Sequence, residues 1–428
     1  MPHAQPSTSA DSCPQRTEAD LLRRDLRVST ADGTAFAMMV GVGETYLPAF
    51  VLAIGLGEVF AGLTATVPML AGALLQLLSP PLLRRLGSRK RWVVLCSAIQ
   101  AAVFLPLIVA AVIGHVPRPV VLLIAAFYWG TGMAAGAVWY TWIGRLVPAG
   151  VWARFFARRN RLTQAGQLAG MLAGGAVLQW AATRGVPLSG FVCLFTAALC
   201  FRAASVGFLF VQREPADIRA PDRTVSAFGL LGRLAKPEGR LLIYMLSVQV
   251  TAQLAGPFFT PYLLGELKLD YLPYVVILAT FFLAKVVTFP WLGRFAHRFG
   301  ARRLLWIGGL GIIPLAACWL VSASVPYLIA VQAVAGIAWA CYELGTFLLT
   351  LQIIPDRERT SILTLFNLVN AVAIVAGSAT GAAVLRLLGE EKDTYLFLFV
   401  LSSAARLLTL PLLRRVNVAR AQAATVAA

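Results

Sequence analysis

The chain of 428 residues is 59% apolar and only 13% charged, about half the charged share of an average soluble domain. An ordinary aqueous surface cannot be built from it, which excludes a soluble enzyme or binding module. Its formal net charge of +18 would suit a nucleic-acid partner only if the basic residues gathered on one face, and they do not.

Residues 1–20 are polar, without the apolar core of a signal peptide, and read as disordered. Leu21-Leu22-Arg23-Arg24-Asp25-Leu26-Arg27 reads as a short amphipathic lead-in at the inner membrane surface. Twelve apolar segments follow, at 33–55, 59–81, 92–113, 119–143, 162–182, 189–211, 240–264, 272–291, 304–323, 326–350, 361–387 and 394–413. Each is near the 20 or so residues that span the hydrocarbon core. This divides the chain into a tail (1–32), a six-helix bundle (33–211), a polar, proline-containing linker (212–239), a second six-helix bundle (240–413) and a short tail (414–428).

The loops alternate sharply in charge. With the N-terminus inside, the inner loops and tails hold 29 of the 37 Lys and Arg, and the outer loops only Arg118, Arg184, Lys268, Arg386 and Lys392. The positive-inside rule therefore puts both termini in the cytoplasm, in a multi-pass protein of the cytoplasmic (inner) membrane. The basic balance reports topology and not a nucleic-acid partner.

The two bundles repeat each other. Pro148, Asn160, Gly170 and Gly174 recur as Pro355, Asn367, Gly377 and Gly381, each 207 residues on, and Ala176-Val177-Leu178 as Ala383-Val384-Leu385. Glu44-x3-Pro48-x-Phe50 in the first helix corresponds to Gln253-x3-Pro257-x-Phe259 in the seventh, at a shift of 209. A tandem duplication in so apolar a chain points to a transporter with its substrate site between the halves, near the membrane midplane. Pro48 and Pro257 are expected to bend their helices there.

Two loops carry motifs. Pro80-Pro81-Leu-Leu-Arg84-Arg85-Leu-Gly87-Ser-Arg89-Lys90-Arg91 joins the second and third helices, and Gly293-Arg294-Phe-Ala-His297-Arg298-Phe-Gly300-Ala-Arg302-Arg303 the eighth and ninth. Both resemble the G-x-x-x-D-R-x-G-R-R signature of the major facilitator superfamily, which stands at those two places of a duplicated twelve-helix fold. The first copy keeps Arg85, Gly87 and Arg89, and the second Gly293, Arg298, Gly300 and Arg302; Arg84 and His297 replace the acid. In the fifth helix, Gly166-x3-Gly170-x3-Gly174-Gly175 resembles the superfamily's G-x-x-x-G-P-x-x-G-G element, with Met171 in place of the proline. Small residues at this spacing let two helix backbones approach closely, and packing is the favoured reading here and at Gly377 and Gly381.

The resemblance implies an all-α membrane protein with twelve transmembrane helices in two six-helix bundles related by a parallel repeat. It also implies that the first, fourth, seventh and tenth helices line a central cavity. Glu44, Gln253, Trp139, Tyr140, Trp339, Tyr342 and Glu343 then become candidates for the substrate path. An ionisable group near the bilayer centre costs about 2.5 kcal/mol or more, so Glu44 and Glu343 are candidate coupling acids, and Lys285 in the eighth helix is a further candidate. Arg202 and Arg406 read as anchors, and Asn160 and Asn367 as helix-start contacts. The six Cys and three His show no metal or disulfide spacing. No nucleotide-binding loop or catalytic constellation is visible, so neither a cofactor nor an enzymatic activity is expected. The expected function is secondary transport of a small solute by alternating access, with a monomer in the lipid bilayer. Proton-coupled efflux of an organic compound leads; uptake of a sugar, peptide or organic acid, or a transport-inactive receptor or scaffold, is the alternative.

Reporter fusions test the topology. Fusions after residues 88, 230 and 420 should report cytoplasm, and those after 116 and 186 the outside. An outside signal at 230 contradicts a six-plus-six arrangement.

Overall fold

The structure, a computed structural model, describes residues 13–215, 229, 232, 236–269, 271–389 and 391–416. The described residues form helices and no strand. In the first half, α1 runs Cys13–Val42 and resumes as Leu47–Ala53, and α2 is Glu58–Leu75 continued by Ser79–Leu86. Then come α3 (Arg89–Ala102 and Phe104–Ile113), α4 (Arg118–Leu146), α5 (Trp152–Thr183) and α6 (Pro187–Val211). In the second half, α7 is Pro237–Gln253 followed by short turns to Glu266, α8 is Tyr271–Phe299, and α9 is Ala301–Gly311 with a further turn at Ala317–Leu320. They are followed by α10 (Val325–Ile353), α11 (Asp356–Leu388) and α12 (Lys392–Leu407 and Leu410–Arg415).

Each of the twelve predicted segments falls on one of these helices. Ten spans among the described residues are long and apolar enough to cross a membrane. The other two are α5, which opens on Arg154, Arg158, Arg159 and Arg161, and α9, which breaks after Gly311.

The sequence reading is corrected at the N-terminus. Residues 13–20 are helical, not disordered, and the predicted boundary at 32/33 falls inside α1. Leu, Arg, Ala and Glu favour helix even where the stretch is not apolar, and Asp25 ties this segment down by accepting from Arg213 Nε at 2.6 Å. Residues 1–12 and 417–428 and most of the predicted linker lie outside the described residues.

α1 and α7 break at equivalent places. α1 passes through a single 3-10 turn at Glu44–Tyr46. α7 ends at Gln253 and proceeds through a 3-10 turn at Gly256–Phe258 and a π-helical turn at Tyr262–Glu266. Pro48 and Pro257 sit in the first turn after each break, where a missing N–H costs nothing.

The repeated glycines make the same contact twice. A Cβ at Gly170 would lie 2.8 Å from the Met38 carbonyl and 3.2 Å from Gly41 Cα, so α5 and α1 touch backbone to backbone. Gly166 sits against Thr34 and Gly174 against the ring of Tyr46, whose hydroxyl donates to the Met171 carbonyl and reaches Gly175. In the second half Gly377 lies against the Val250 carbonyl and Gln253, and Gly381 against the Leu254 carbonyl and Phe258, which brings α11 onto α7.

Contacts between the halves gather at the end that carries the basic loops. Gly293 of α8 packs on Ala157 and Ala153 of α5. Thr141 and Thr360 hydroxyls are 3.1 Å apart, and Arg145 of α4 reaches Asp356 of α11 at 3.2 Å. Arg359, 1% exposed, is held by Asp356 at 2.6 Å and by the carbonyls of Leu351 and Ile354. Asn367 lies inside α11, not at its start, and donates to Gln76 of α2 at 3.1 Å; Asn160 likewise lies within α5. One large apolar cluster at this end joins Ile143, Leu146 and Phe156 to Leu305, Leu344 and Leu348. The clusters towards the opposite end, around Phe50 and Phe195 and around Tyr262 and Phe399, are each confined to one half. The two halves are thus joined from the basic end to about mid-depth, where Met69 and Ala73 of α2 meet Ala371 of α11.

Close approach at the glycines sets a stability test. Gly170→Leu and Gly377→Leu should each destabilise the detergent-solubilised protein by about 1–3 kcal/mol through overpacking, read as a lower melting temperature. Leu172→Ala, at a position 44% exposed on the same helix as Gly170, should be near neutral. Equal effects from all three would show that backbone approach does not hold these helix pairs.

Candidate functional site

The helices that break or bend around the space between the halves present a small set of polar groups. Glu44 sits in the 3-10 turn that interrupts α1, partly exposed, and accepts from Tyr128 Oη of α4 at 2.7 Å. Tyr128 is itself buried and stands 3.3 Å from Met39 Sδ. Gln253, the pseudo-equivalent residue, ends the first part of α7 and lies against Gly377 and Gly256. No acid takes the place of Glu44 there.

The second half supplies an ion pair. Lys285 Nζ of α8 donates to Glu343 Oε1 of α10 at 2.6 Å. The Lys285 side chain is 5% exposed and that of Glu343 38%. Lys285 also lies 4.4 Å from the centre of the Phe281 ring, which shields its stem and favours the cation. Sequence reading named both residues but gave no reason to pair them, because 58 positions and an intervening helix separate them. Glu343 is the more exposed partner.

Aromatic residues stand between this ion pair and the basic end. Trp139 and Tyr140 of α4 meet edge to face at 5.8 Å, and Tyr140 lies 4.9 Å from Phe347 of α10, one turn beyond Glu343. Phe156 of α5 closes on the same Phe347 at 4.5 Å. Tyr140 lies within electrostatic reach of both Glu343 and Arg159. Tyr342 points elsewhere: it is buried, 6.1 Å from Tyr244, inside the core of the second half. Trp339 is partly exposed and lies 5.5 Å from Tyr342.

A second polar group was not foreseen. Asp32, assigned by sequence to the tail, is buried in α1 and accepts from Ser205 Oγ of α6 at 2.6 Å. Arg159 of α5 approaches it at 3.6 Å, donates to the Ser29 carbonyl and lies 4.3 Å over the Trp139 ring. Gly33 leaves room for this guanidinium, since a Cβ there would meet Arg159 at 2.5 Å. Arg202 donates to Ser205 and Ser97 at 2.9 Å each. Arg159 was hidden in a run of four arginines that read as topology. The available signal for Asp32 was its position one residue before an apolar segment.

The two signature loops are turns. Gly87 closes α2 at φ 68° and Gly300 opens α9 at φ 88°, a left-handed backbone that glycine adopts without strain. Arg85 and Arg298 are exposed, Arg89 is buried and Arg302 partly buried. An acid does serve the first loop, although the motif lacks one. Glu214, beyond the end of α6, accepts from Ser88 Oγ at 2.6 Å and from the backbone N–H groups of Arg89 and Lys90 at 2.7 and 3.2 Å. It caps the N-terminus of α3, where a negative charge is favoured. Among the described residues no three His, Cys, Asp or Glu are grouped to hold a metal ion.

Comparison with known proteins places this geometry. No curated protein matches the sequence. Among solved structures, a bacterial homologue of the iron transporter ferroportin in an outward-facing state matches with a TM-score of 0.71 at 16% identity, over 92% of this chain and 98% of that one. The human organic anion transporter structure matches at 0.68 and 16%, over 92% and 99%, and the E. coli fucose:proton symporter at 0.68 and 12%, over 92% and 98%. At such identities these likenesses show the fold alone. The family model described as Major Facilitator Superfamily matches residues 33–378 and 241–425, and the chain belongs to that superfamily.

Proposed function

We propose that this protein is a proton-coupled exporter of an organic compound, with the Lys285–Glu343 pair as its coupling element. The reading rests on one observation above the others: a buried lysine bound to a carboxylate that is 38% exposed on its other side. An ammonium with so little access to water depends on its partner's charge, because an unpaired buried ion is strongly disfavoured. Protonating Glu343 removes that partner. The lysine is then free for another acceptor, and the balance between arrangements of α8 and α10 shifts.

The closed end fits an exchange that runs as export. The halves meet at the basic end, and Tyr140, Phe156 and Phe347 pack together between Glu343 and that end. With the basic loops in the cytoplasm, Glu343 faces the outside. A proton loaded there as substrate departs would favour closure of the outer side. After reopening on the inside, loss of the proton would restore the ion pair and admit the next substrate. The partly exposed Trp129, Trp139, Trp339 and Tyr140 offer flat apolar and amphipathic surfaces that suit an organic solute. Glu44, bonded to a tyrosine hydroxyl at the break of α1, is assigned to holding that break rather than to coupling.

The test uses proteoliposomes and a ligand identified by thermal-shift screening of a metabolite and drug panel. Glu343→Gln keeps size and hydrogen bonding but cannot titrate. It should lose transport driven by a pH gradient, at least tenfold, and keep exchange at equal pH. Glu44→Gln should retain gradient-driven transport at a reduced rate. Uphill transport with unchanged proton dependence in Glu343→Gln would remove this carboxylate as the coupler.

A further inference from the structure

Arginines crowd one seam of the protein without partners among the described residues. Arg154, Arg158 and Arg161 of α5 and Arg294 of α8 line a single recess of about 590 Å³, completed by Pro290. All four are exposed, and none makes an ion pair or side-chain hydrogen bond among the described residues. Among the described residues no acidic side chain lines the recess. Three of these charges belong to the first half and one to the second, and they stand where Gly293 packs on Ala157 and Ala153. Like charges held this close repel across the contact that joins the halves, unless an anion lies between them.

A second recess opens from the first. A groove of about 920 Å³ between α1, α5 and α6 shares Arg154 and Arg158 with it. Its mouth carries those two and Arg23 and Arg27, whereas its deeper wall is Met38, Leu162 and Phe201. The order along the helices sets this polarity, since Arg27 precedes Met38 in α1 and Arg154 precedes Leu162 in α5. The charged mouth therefore lies at the basic end and the apolar wall runs towards the membrane interior. Trp291, 58% exposed and one turn from Arg294, marks the same interfacial level. Free phosphate would satisfy the arginines and leave the groove unexplained.

From this juxtaposition we infer a binding site for an anionic phospholipid. Its phosphate lies among Arg154, Arg158, Arg161 and Arg294, and one acyl chain lies in the groove of α1, α5 and α6. Guanidinium groups suit this role because they bind phosphate in a fixed, bidentate geometry. Basic recesses between helices at the cytoplasmic leaflet are where such headgroups gather. A lipid in this place replaces repulsion between α5 and α8 by a shared counter-charge, and so favours the arrangement closed at the basic end.

The experiment is lipid titration of the purified full chain in detergent, read by native mass spectrometry and by thermal unfolding. Phosphatidylglycerol, phosphatidylcholine and inorganic phosphate are compared. Phosphatidylglycerol should bind and raise the melting temperature by several degrees, and the other two should not. Each surface arginine contributes about fivefold to such binding, so Arg161→Gln/Arg294→Gln should weaken it by about twenty-five-fold. Arg414→Gln/Arg415→Gln, changing exposed arginines of α12, should leave it unchanged. Ala204→Trp, which fills the groove from α6, should weaken it while the melting temperature in phosphatidylcholine stays that of the wild type. Undiminished phosphatidylglycerol binding by Arg161→Gln/Arg294→Gln, or by Ala204→Trp, would overturn the proposal. Equal protection by inorganic phosphate would also overturn it, leaving a soluble-anion site.

Discussion

Where α5 crosses α8 and α4 meets α11, the two halves touch through small side chains and a few buried polar groups. Gly293 lets α8 come down onto Ala153 and Ala157, and Arg359 is buried beside Gly144 with Asp356 and two carbonyls as its acceptors. Such a contact is tight but rests on few strong terms. Tight packing excludes water and lets the aromatic group of Tyr140, Phe156 and Phe347 seal one end. A contact made of apolar packing with a few ion pairs and hydrogen bonds among it is also one that can be unmade, which alternating access requires. The openness around Glu343 follows from where this contact lies.

Within each half the scaffold is repeated and the chemistry is not. The glycine pairs Gly170/Gly174 and Gly377/Gly381 bring α5 onto α1 and α11 onto α7 in the same way, and both α1 and α7 break just ahead of a proline. At the break, however, the first half has Glu44 bonded to Tyr128 and the second has Gln253. The Lys285–Glu343 pair has no counterpart in the first half, where Asp32 and Arg202 are buried and Arg159 partly buried, towards the basic end. Duplication supplied two similar frames, and divergence placed the Lys285–Glu343 pair in the second alone.

The frame was legible in the sequence because membranes leave little freedom. A run of twenty apolar residues has one use, and a polar or glycine residue kept in register across 207 positions reports a repeat. The repeat added support for α5, which is not among the ten helices long and apolar enough to cross a membrane, whereas α9 rested on its apolar run alone. What escaped was everything decided by tertiary contact. Asp32 looked like tail because it precedes the apolar run, yet Ser205 and Arg159 satisfy it inside the bundle. Asn160 and Asn367 looked like helix starts, but α5 and α11 begin earlier, at Trp152 and Asp356, in sequence too charged to read as membrane span. Tyr342 and Glu343 are neighbours in sequence, and only the helix's rotation sends one into the core and the other to the open side.

The central claim, that the basic end is closed and must open as the other end closes, is tested by distance measurement between spin labels in reconstituted protein. With native cysteines replaced, one pair at Arg184→Cys and Ala323→Cys reports the end opposite the basic loops. A second pair at Gly150→Cys and Arg303→Cys reports the basic end. The account predicts two populations that trade places in opposite directions: conditions that shorten the first distance, such as added ligand or low pH, lengthen the second. Both distances staying fixed under every condition, or both changing in the same direction, would contradict it.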